Sequence, residues 1–110
     1  KNNANILPIK PGAHVLVTGP AADSMAIQSG GWTISWQGTD VTHADFPNGQ
    51  TIWEGIEEAV AAAGGAATFS VDGSFATKPD VAIFVFGEEP YAEGQGDRAD
   101  LNQAKAKPEQ

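Results

Sequence analysis

The chain has 110 residues, which is enough for one domain that buries roughly two-thirds of the surface of its unfolded chain. Its 14 acidic and 6 basic residues give a formal net charge of −8, which disfavours nucleic acids and anionic membranes as partners because both are polyanions. The lack of cysteine excludes disulfides and thiol catalysis, and the two histidines lack metal-ligand spacing, so we expect no metal and no other cofactor. No apolar stretch approaches the ~18 residues of a membrane span, so we also expect no such span.

Residues 1–12 are predicted to form a linker that packs its apolar side chains on the body of the domain and ends in a proline-glycine turn. Residues 14–18 (HVLVT) follow as a short apolar strand, and Gly19 with the next proline breaks it before residues 21–25 could begin a helical turn. A strand that runs into a glycine turn and a helix also occurs in flavodoxin-like phosphate sites. Because no phosphate-binding glycine pattern and no nearby lysine are present, the sequence favours an ordinary turn here.

The next unusual stretch is residues 28–38, QSGGWTISWQG, in which two tryptophans lie four positions apart beside paired glycines. Neither strand alternation nor a helical turn accounts for both indoles, so we expect a loop. Trp32 is predicted equally well as a core residue or as part of a site. For Trp36 the sequence favours a functional role, because an indole in a glycine-rich loop offers a flat apolar face with an N–H at its edge, which suits stacking on a sugar ring.

Residues 51–63 carry the clearest helix pattern. Thr51 and Glu54 form a capping box at its start, and two glycines after residue 63 end it. Its predicted buried face consists of Ile52, Ile56, Ala59, Val60 and Ala63. Residues 67–71 then alternate between apolar and polar side chains, as a strand does when one of its faces is buried.

The chain is organised around residues 81–97, which begin with VAIFVF at 81–86, an unbroken apolar run rich in β-branched and aromatic side chains. This pattern predicts a strand that is buried on both faces, as in a parallel sheet covered by helices. The order strand, helix, strand, strand, with a helix start in residues 100–110, predicts an α/β fold. We expect a mainly parallel sheet with right-handed crossovers and helices on both faces.

A loop rich in acids follows this strand at residues 87–97, GEEPYAEGQGD. Its carboxylates are Glu88, Glu89, Glu93 and Asp97. Ligands bind at the carboxyl edge of open α/β sheets, so these acids form either a solvated surface or part of a site. Pro90 and Tyr91 restrict and partly cover the loop while its glycines permit unusual backbone geometries, which favours a site in which Glu93 is the acid held in place.

Four segments of the chain resemble one known family. They are KNNANILPI at residues 1–9, GGWTISWQG at 30–38, NGQTIWEGI at 48–56 and GEEPYAEGQGD at 87–97. All four are similar to the second domain of family 3 glycoside hydrolases of the β-glucosidase and exo-β-glucanase type. The resemblance implies that residues 1–12 link to a preceding TIM-barrel domain, and that residues 13–110 are the first part of a three-layer α/β sandwich domain, with the active site between the two domains.

The resemblance also implies roles for individual residues. The acid/base of the family falls on Glu93, and the tryptophan that contacts the sugar on the aglycone side falls on Trp36, with Trp32 supporting this substrate-binding loop. Four further residues are expected to shape or support the loop around the acid: Glu88, Glu89, Tyr91 and Asp97. The nucleophile of the family is an aspartate on the barrel domain, outside this chain. Retaining glycosidases hold two such carboxyl groups about 5–5.5 Å apart.

The function implied by the resemblance is that of a retaining, exo-acting hydrolase that removes terminal β-D-glucosyl residues from β-glucans and cello-oligosaccharides. Its partners would be this substrate and the barrel domain, and its location would be periplasmic or secreted. This chain alone is expected to be inactive, because it lacks the nucleophile. The alternative is a non-catalytic α/β domain that binds carbohydrate through Trp32 and Trp36, or that serves as an interaction domain.

Overall fold

The computed structural model describes residues 1–99, which form a three-stranded parallel sheet with helices. The strands are β1 (His14–Thr18), β2 (Ala66–Ser70) and β3 (Val81–Phe84), and the helices are α1 (Met25–Ser29) and α2 (Ile52–Ala62), with 3-10 turns at Asn3–Asn5 and His43–Asp45. The predicted α/β fold with a parallel sheet is confirmed. The helix start predicted at residues 100–110 lies outside the described residues.

Strand β1 lies in the centre of the sheet and pairs in parallel with both β2 and β3. Its Val15 and Val17 share one face because side chains alternate along a strand, and both are fully buried. Helix α2 packs on this face, where its Trp53, Ile56 and Val60 lie against the cluster that the two valines form with Ala22. This packing forms the core of the domain.

Helix α2 starts where the capping box predicts. The Thr51 hydroxyl accepts a hydrogen bond from the Glu54 N–H at 3.2 Å, and the Glu54 carboxylate accepts one from the Thr51 N–H at 2.8 Å. The Thr51 hydroxyl also donates to the Asp23 carboxylate at 2.9 Å. Two bonds therefore connect the start of this helix to the segment after β1, since the Trp53 N–H also donates to the Ala22 carbonyl at 2.8 Å.

The buried face of α2 differs from the predicted one. Ile52 is 38% exposed, whereas Trp53 turns toward the sheet and stacks on Phe69 with ring centroids 5.5 Å apart. Ala59 and Ala63, also predicted to be buried, are exposed. The prediction for these three residues was wrong because the bond from the Trp53 backbone to the segment after β1 fixes the rotation of the helix, which periodicity alone does not.

The prediction that residues 81–86 are buried on both faces was also wrong. Strand β3 is an edge strand among residues 1–99, and α2 covers only the face to which Ile83 belongs. On the other face Phe84 and Phe86 are 63% and 60% exposed, and their rings stack with centroids 5.6 Å apart. An apolar run shows that a strand suits burial, but the elements packed on the sheet decide which face is covered.

Other elements differ less from the predictions. Strand β2 begins one residue earlier than expected, and α1 begins at Met25 because the Ser24 hydroxyl caps it by accepting from the Ile27 N–H at 3.2 Å. In the leading segment only part of the predicted packing is present, since Ile9 contacts the core while Ile6 and Leu7 are about half exposed. None of the helices among residues 1–99 is both long and apolar enough to cross a bilayer.

The strand order places two loops side by side. The connection from β1 through α2 leads to β2 on one side of β1, and β3 then lies on the other side. The carboxyl ends of β1 and β3 are thus neighbours at a point where the connections diverge, the usual position of ligand sites in open α/β sheets. Residues 28–38, the tryptophan loop, follow β1 and α1, and residues 87–97, the acidic loop, follow β3.

Candidate active site

Glu93 of the acidic loop lies between the two indoles of the tryptophan loop. Its Oε2 accepts a hydrogen bond from Trp32 Nε1 and another from Trp36 Nε1, each at 3.0 Å. The two indole rings are tilted by 44° with centroids 6.3 Å apart. Trp32 and Trp36 are 69% and 54% exposed, so neither is a core residue in this structure. The structure thus brings together the three residues that the sequence marked for catalysis and sugar binding.

The tryptophan loop contains a tight turn that brings the two indoles together. The Trp32 N–H donates to the Trp36 carbonyl at 2.9 Å. Within the turn, Trp32 and Ile34 have φ values of 61° and 63°, in the left-handed region that is uncommon for tryptophan and a true outlier for a β-branched residue. Such backbone strain costs on the order of 1–3 kcal/mol and requires support from its surroundings. The Ser35 hydroxyl gives that support by donating to Asp40 and accepting from the Gly38 N–H.

The two loops also contact each other through their backbones. A Cβ placed on Gly31 would lie 2.0 Å from the carbonyl oxygen of Tyr91, so only glycine fits at this crossing. Gln37 then joins the loops by two hydrogen bonds. Its Oε1 accepts from the Ala92 N–H at 2.7 Å, and its Nε2 donates to the Glu93 carbonyl at 3.1 Å. Sequence reasoning missed Gln37, and its position next to Trp36 is the only signal that could have suggested it.

Two of the predicted supporting residues, Glu88 and Tyr91, contact each other at the start of the acidic loop. The Tyr91 hydroxyl donates to Glu88 Oε2 at 2.6 Å, which raises the pKa of Tyr91 because the nearby carboxylate disfavours loss of its proton. Arg98 Nη1 lies 3.6 Å from Glu88 Oε1. The backbone N–H of Asp97 donates to the Gly94 carbonyl at 3.3 Å, a local contact that does not involve Glu88 or Tyr91. Glu88 and Tyr91 are thus brought together, and the ion pair of Glu88 with Arg98 connects the start of the loop to the residue that follows its end.

The electrostatic environment of Glu93 favours the carboxylate. The hydrogen bond from Trp36 lowers the pKa of Glu93 most, followed by the backbone N–H of Glu93; desolvation raises this pKa, and the Trp32 indole lowers it by less than the other contributions. In this state Glu93 can accept a proton or a hydrogen bond, but it is not poised to donate a proton. No three His, Asp or Glu side chains among residues 1–99 are arranged to hold a metal ion.

The comparisons with known proteins agree on one family. The chain matches the C-terminal domain of family 3 glycosyl hydrolases over residues 1–110. It is 35% identical over 123 aligned positions to a lysosomal beta glucosidase of Dictyostelium discoideum, an alignment that covers 93% of this chain and 14% of that protein.

Solved structures give the same result. The fold superposes on two crystal structures of exo-1,3/1,4-beta-glucanase from a Pseudoalteromonas species, each with a TM-score of 0.84 and 53% identity. One of the two is the structure of a mutant. Each match covers 89% of this chain, and 16% and 12% of the two solved chains. The chain spans less than a fifth of the length of each of these relatives. It belongs to the C-terminal domain family of family 3 glycosyl hydrolases, as the resemblance of its four segments predicted.

Proposed function

We propose that this chain supplies the general acid/base of a retaining, exo-acting β-glucosidase or β-glucanase. One observation supports this above the others: two indole N–H groups from one loop converge on the Glu93 carboxylate of another, at an exposed edge of the sheet. A carboxylate that is needed only for solubility does not require two directed donors. In a chain of a glycosyl hydrolase family, a carboxylate held in this way is the natural candidate for proton transfer.

The proposed mechanism uses Glu93 twice. In the first step the protonated carboxyl donates its proton to the glycosidic oxygen while an aspartate of the barrel domain attacks the anomeric carbon and expels the leaving sugar. In the second step the Glu93 carboxylate takes a proton from water, which then releases glucose from the aspartate. The two inversions give net retention of configuration. The hydrogen bonds from Trp32 and Trp36 stabilise the charged form of Glu93, which is the form that the second step uses.

The first step requires a protonated acid, and residues 1–99 lower the pKa of Glu93. The barrel domain would reverse this in two ways, since it would bury the acidic loop and place the negatively charged nucleophile about 5–5.5 Å away. Closure of the two domains is therefore part of the proposed catalyst. In this proposal the nucleophile belongs to the barrel domain, so the chain by itself should not hydrolyse aryl β-glucosides.

The proposed substrate is a β-glucan or a cello-oligosaccharide. Trp36 is the aglycone-side residue of the proposal, because it is more than half exposed and an exposed indole can stack on a sugar. The Pseudoalteromonas relative is named for both 1,3- and 1,4-linkages, and we propose the same pair of linkages here. A polymeric substrate implies a secreted or periplasmic enzyme, although the Dictyostelium relative carries a lysosomal name.

The test replaces Glu93 with Ala in the intact enzyme, meaning this domain joined to its barrel domain. Hydrolysis of cello- or laminari-oligosaccharides should fall by about 10²–10⁴-fold, because their poor leaving groups need a proton. An activated aryl glucoside should still form the glycosyl-enzyme, giving a burst and then slow turnover. Azide should accelerate that turnover and yield β-glucosyl azide, since it attacks without loss of a proton.

The matched control is Glu89→Gln, which changes an exposed acid of the same loop. It should show neither the leaving-group effect nor acceleration by azide. If Asp97→Asn shows the azide pattern and Glu93→Ala does not, the acid/base is assigned to the wrong residue. Steady hydrolysis of 4-nitrophenyl β-glucoside by the 110-residue chain alone would refute the two-domain mechanism.

A further inference from the structure

We infer that Gln37 is the positioning residue that holds the backbone of the acid/base segment in register with the tryptophan loop. The inference rests on the proposed role of Glu93. Gln37 makes two hydrogen bonds to one short segment: its Oε1 accepts from the Ala92 N–H at 2.7 Å and its Nε2 donates to the Glu93 carbonyl at 3.1 Å. The two bonds bracket Ala92 and Glu93 and thereby fix the part of the loop from which the carboxylate projects.

The chemistry of these two bonds selects an amide side chain. The Ala92 N–H needs an acceptor and the Glu93 carbonyl needs a donor, and the amide of glutamine offers both from one planar group without a change of protonation. Asparagine is one methylene shorter. The pairing also fixes which end of the Gln37 amide is oxygen, because the reversed orientation would oppose two donors and two acceptors.

Gln37 holds a part of the acidic loop that the other contacts of this loop do not hold. The Glu88–Tyr91 hydrogen bond holds the start of the loop, and the Gly96 N–H, which donates to the Ala92 carbonyl at 2.8 Å, closes a turn after it. Neither contact connects the Glu93 backbone to the tryptophan loop. Gln37 makes that connection, and it directly follows Trp36, which binds the Glu93 carboxylate. One dipeptide therefore holds both the backbone and the carboxylate of Glu93.

The bonds from Gln37 affect where the proposed proton donor, the carboxyl group of Glu93, lies in the active site. The indole bonds hold the carboxylate of Glu93 against the two tryptophans. Without the bonds from Gln37, however, the backbone of Glu93 is free to move, and its carboxylate can shift relative to the glycosidic oxygen. A displacement of about 1 Å at a catalytic group can cost on the order of 10²-fold in rate. Loss of Gln37 should thus affect proton donation to the leaving group more than substrate binding.

The test is Gln37→Met in the intact enzyme, which keeps the length of the side chain and removes both hydrogen bonds. For a cello-oligosaccharide, kcat should fall by about 10–100-fold while KM stays within about threefold. For a series of aryl β-glucosides, log kcat/KM should depend more steeply on the pKa of the leaving phenol, because poor leaving groups lose more from a misplaced acid. The control is Gln28→Met, which removes a single bond to the Gln50 carbonyl at 3.2 Å and should leave this dependence unchanged.

A second variant, Gln37→Glu, tests the donor directly. Its ionised carboxylate cannot donate to the Glu93 carbonyl, but the protonated form offers both a donor and an acceptor. The ratio of its kcat/KM to that of the parent enzyme should rise as the pH falls through the ordinary carboxyl range near about 4.3. A ratio that stays constant with pH, or a Gln37→Met variant that loses rate equally for all leaving groups, would overturn the inference. If Glu93→Ala itself lacks the azide pattern, the proposed function has failed instead.

Discussion

The close crossing of the two loops at Gly31 leads to a prediction with a steric basis. In Gly31→Ala the new Cβ would lie 2.0 Å from the Tyr91 carbonyl oxygen and 2.7 Å from its carbon, whereas ordinary contacts begin at 3.4 Å. The loops must therefore move apart by about 1.4 Å, the difference between the first and last of these distances. The atoms in the way belong to the backbone, so rotation of a side chain cannot relieve the clash.

This displacement has a calculable effect on the proposed reaction. Glu93 is two residues from Tyr91, and its carboxylate must keep its place between the indoles. Since about 1 Å of misplacement costs on the order of 10²-fold, kcat for a cello-oligosaccharide should fall by about that factor. The assay compares kcat for the oligosaccharide with the burst rate for an activated aryl glucoside, which should fall less because that leaving group needs little protonation.

The matched control is Gly55→Ala in helix α2, where a Cβ would meet nothing within 4 Å. This variant should have normal activity and should be more stable by about 1 kcal/mol, because alanine favours a helix over glycine. If Gly31→Ala retains activity within about threefold of the parent enzyme and also keeps its melting temperature, the two loops do not pack as described.

Three further predictions follow from other contacts. Trp36→Phe removes the hydrogen bond that lowers the pKa of Glu93 most, so this pKa should rise. The basic limb of the pH profile of kcat/KM should therefore move to higher pH. If the limb does not move, a group other than Glu93 titrates there. Trp36→Ala should reduce kcat/KM for oligosaccharides several-fold more than for a small aryl glucoside, since stacking on an aglycone sugar is worth on the order of 1 kcal/mol. Equal losses, together with a lower melting temperature, would make Trp36 a structural residue instead. Thr51→Ala should lower the free energy of unfolding of the chain by about 1–2 kcal/mol in denaturant titrations, because it removes a buried helix cap, while Thr51→Ser should retain most of it.

The fold could be predicted from sequence wherever the signal was local. The capping box at Thr51 and Glu54 located the start of α2, and the apolar runs located β1 and β3. The rotation of α2 could not be predicted, because a hydrogen bond from the Trp53 backbone to the Ala22 carbonyl decides it. This contact joins two segments that are far apart in the sequence. Periodicity describes one helix and contains no information on its partner.

The candidate site could be predicted only in part, for the same reason. The resemblance to family 3 glycoside hydrolases singled out Glu93, Trp32 and Trp36, and the structure places their polar atoms within hydrogen-bonding distance. Their roles in catalysis and sugar binding stay predictions. The sequence did not predict Gln37 as a site residue, because a lone glutamine in a polar loop has no distinguishing pattern. Its importance arises from two bonds to a loop more than fifty residues away, at Ala92 and Glu93.

The hydrogen bonds to Glu93 connect its charge to the state of the whole active site. Both indoles stabilise the carboxylate, so an open site in which water reaches the acidic loop holds Glu93 as a base. In the proposed mechanism the proton donor forms only when the barrel domain buries the loop and brings the negative nucleophile near it. A competent acid and a competent nucleophile would thus be assembled in one event. In the same proposal, Glu93 would have given up its proton once the leaving sugar departs, and the two indole bonds would then favour the carboxylate that activates water.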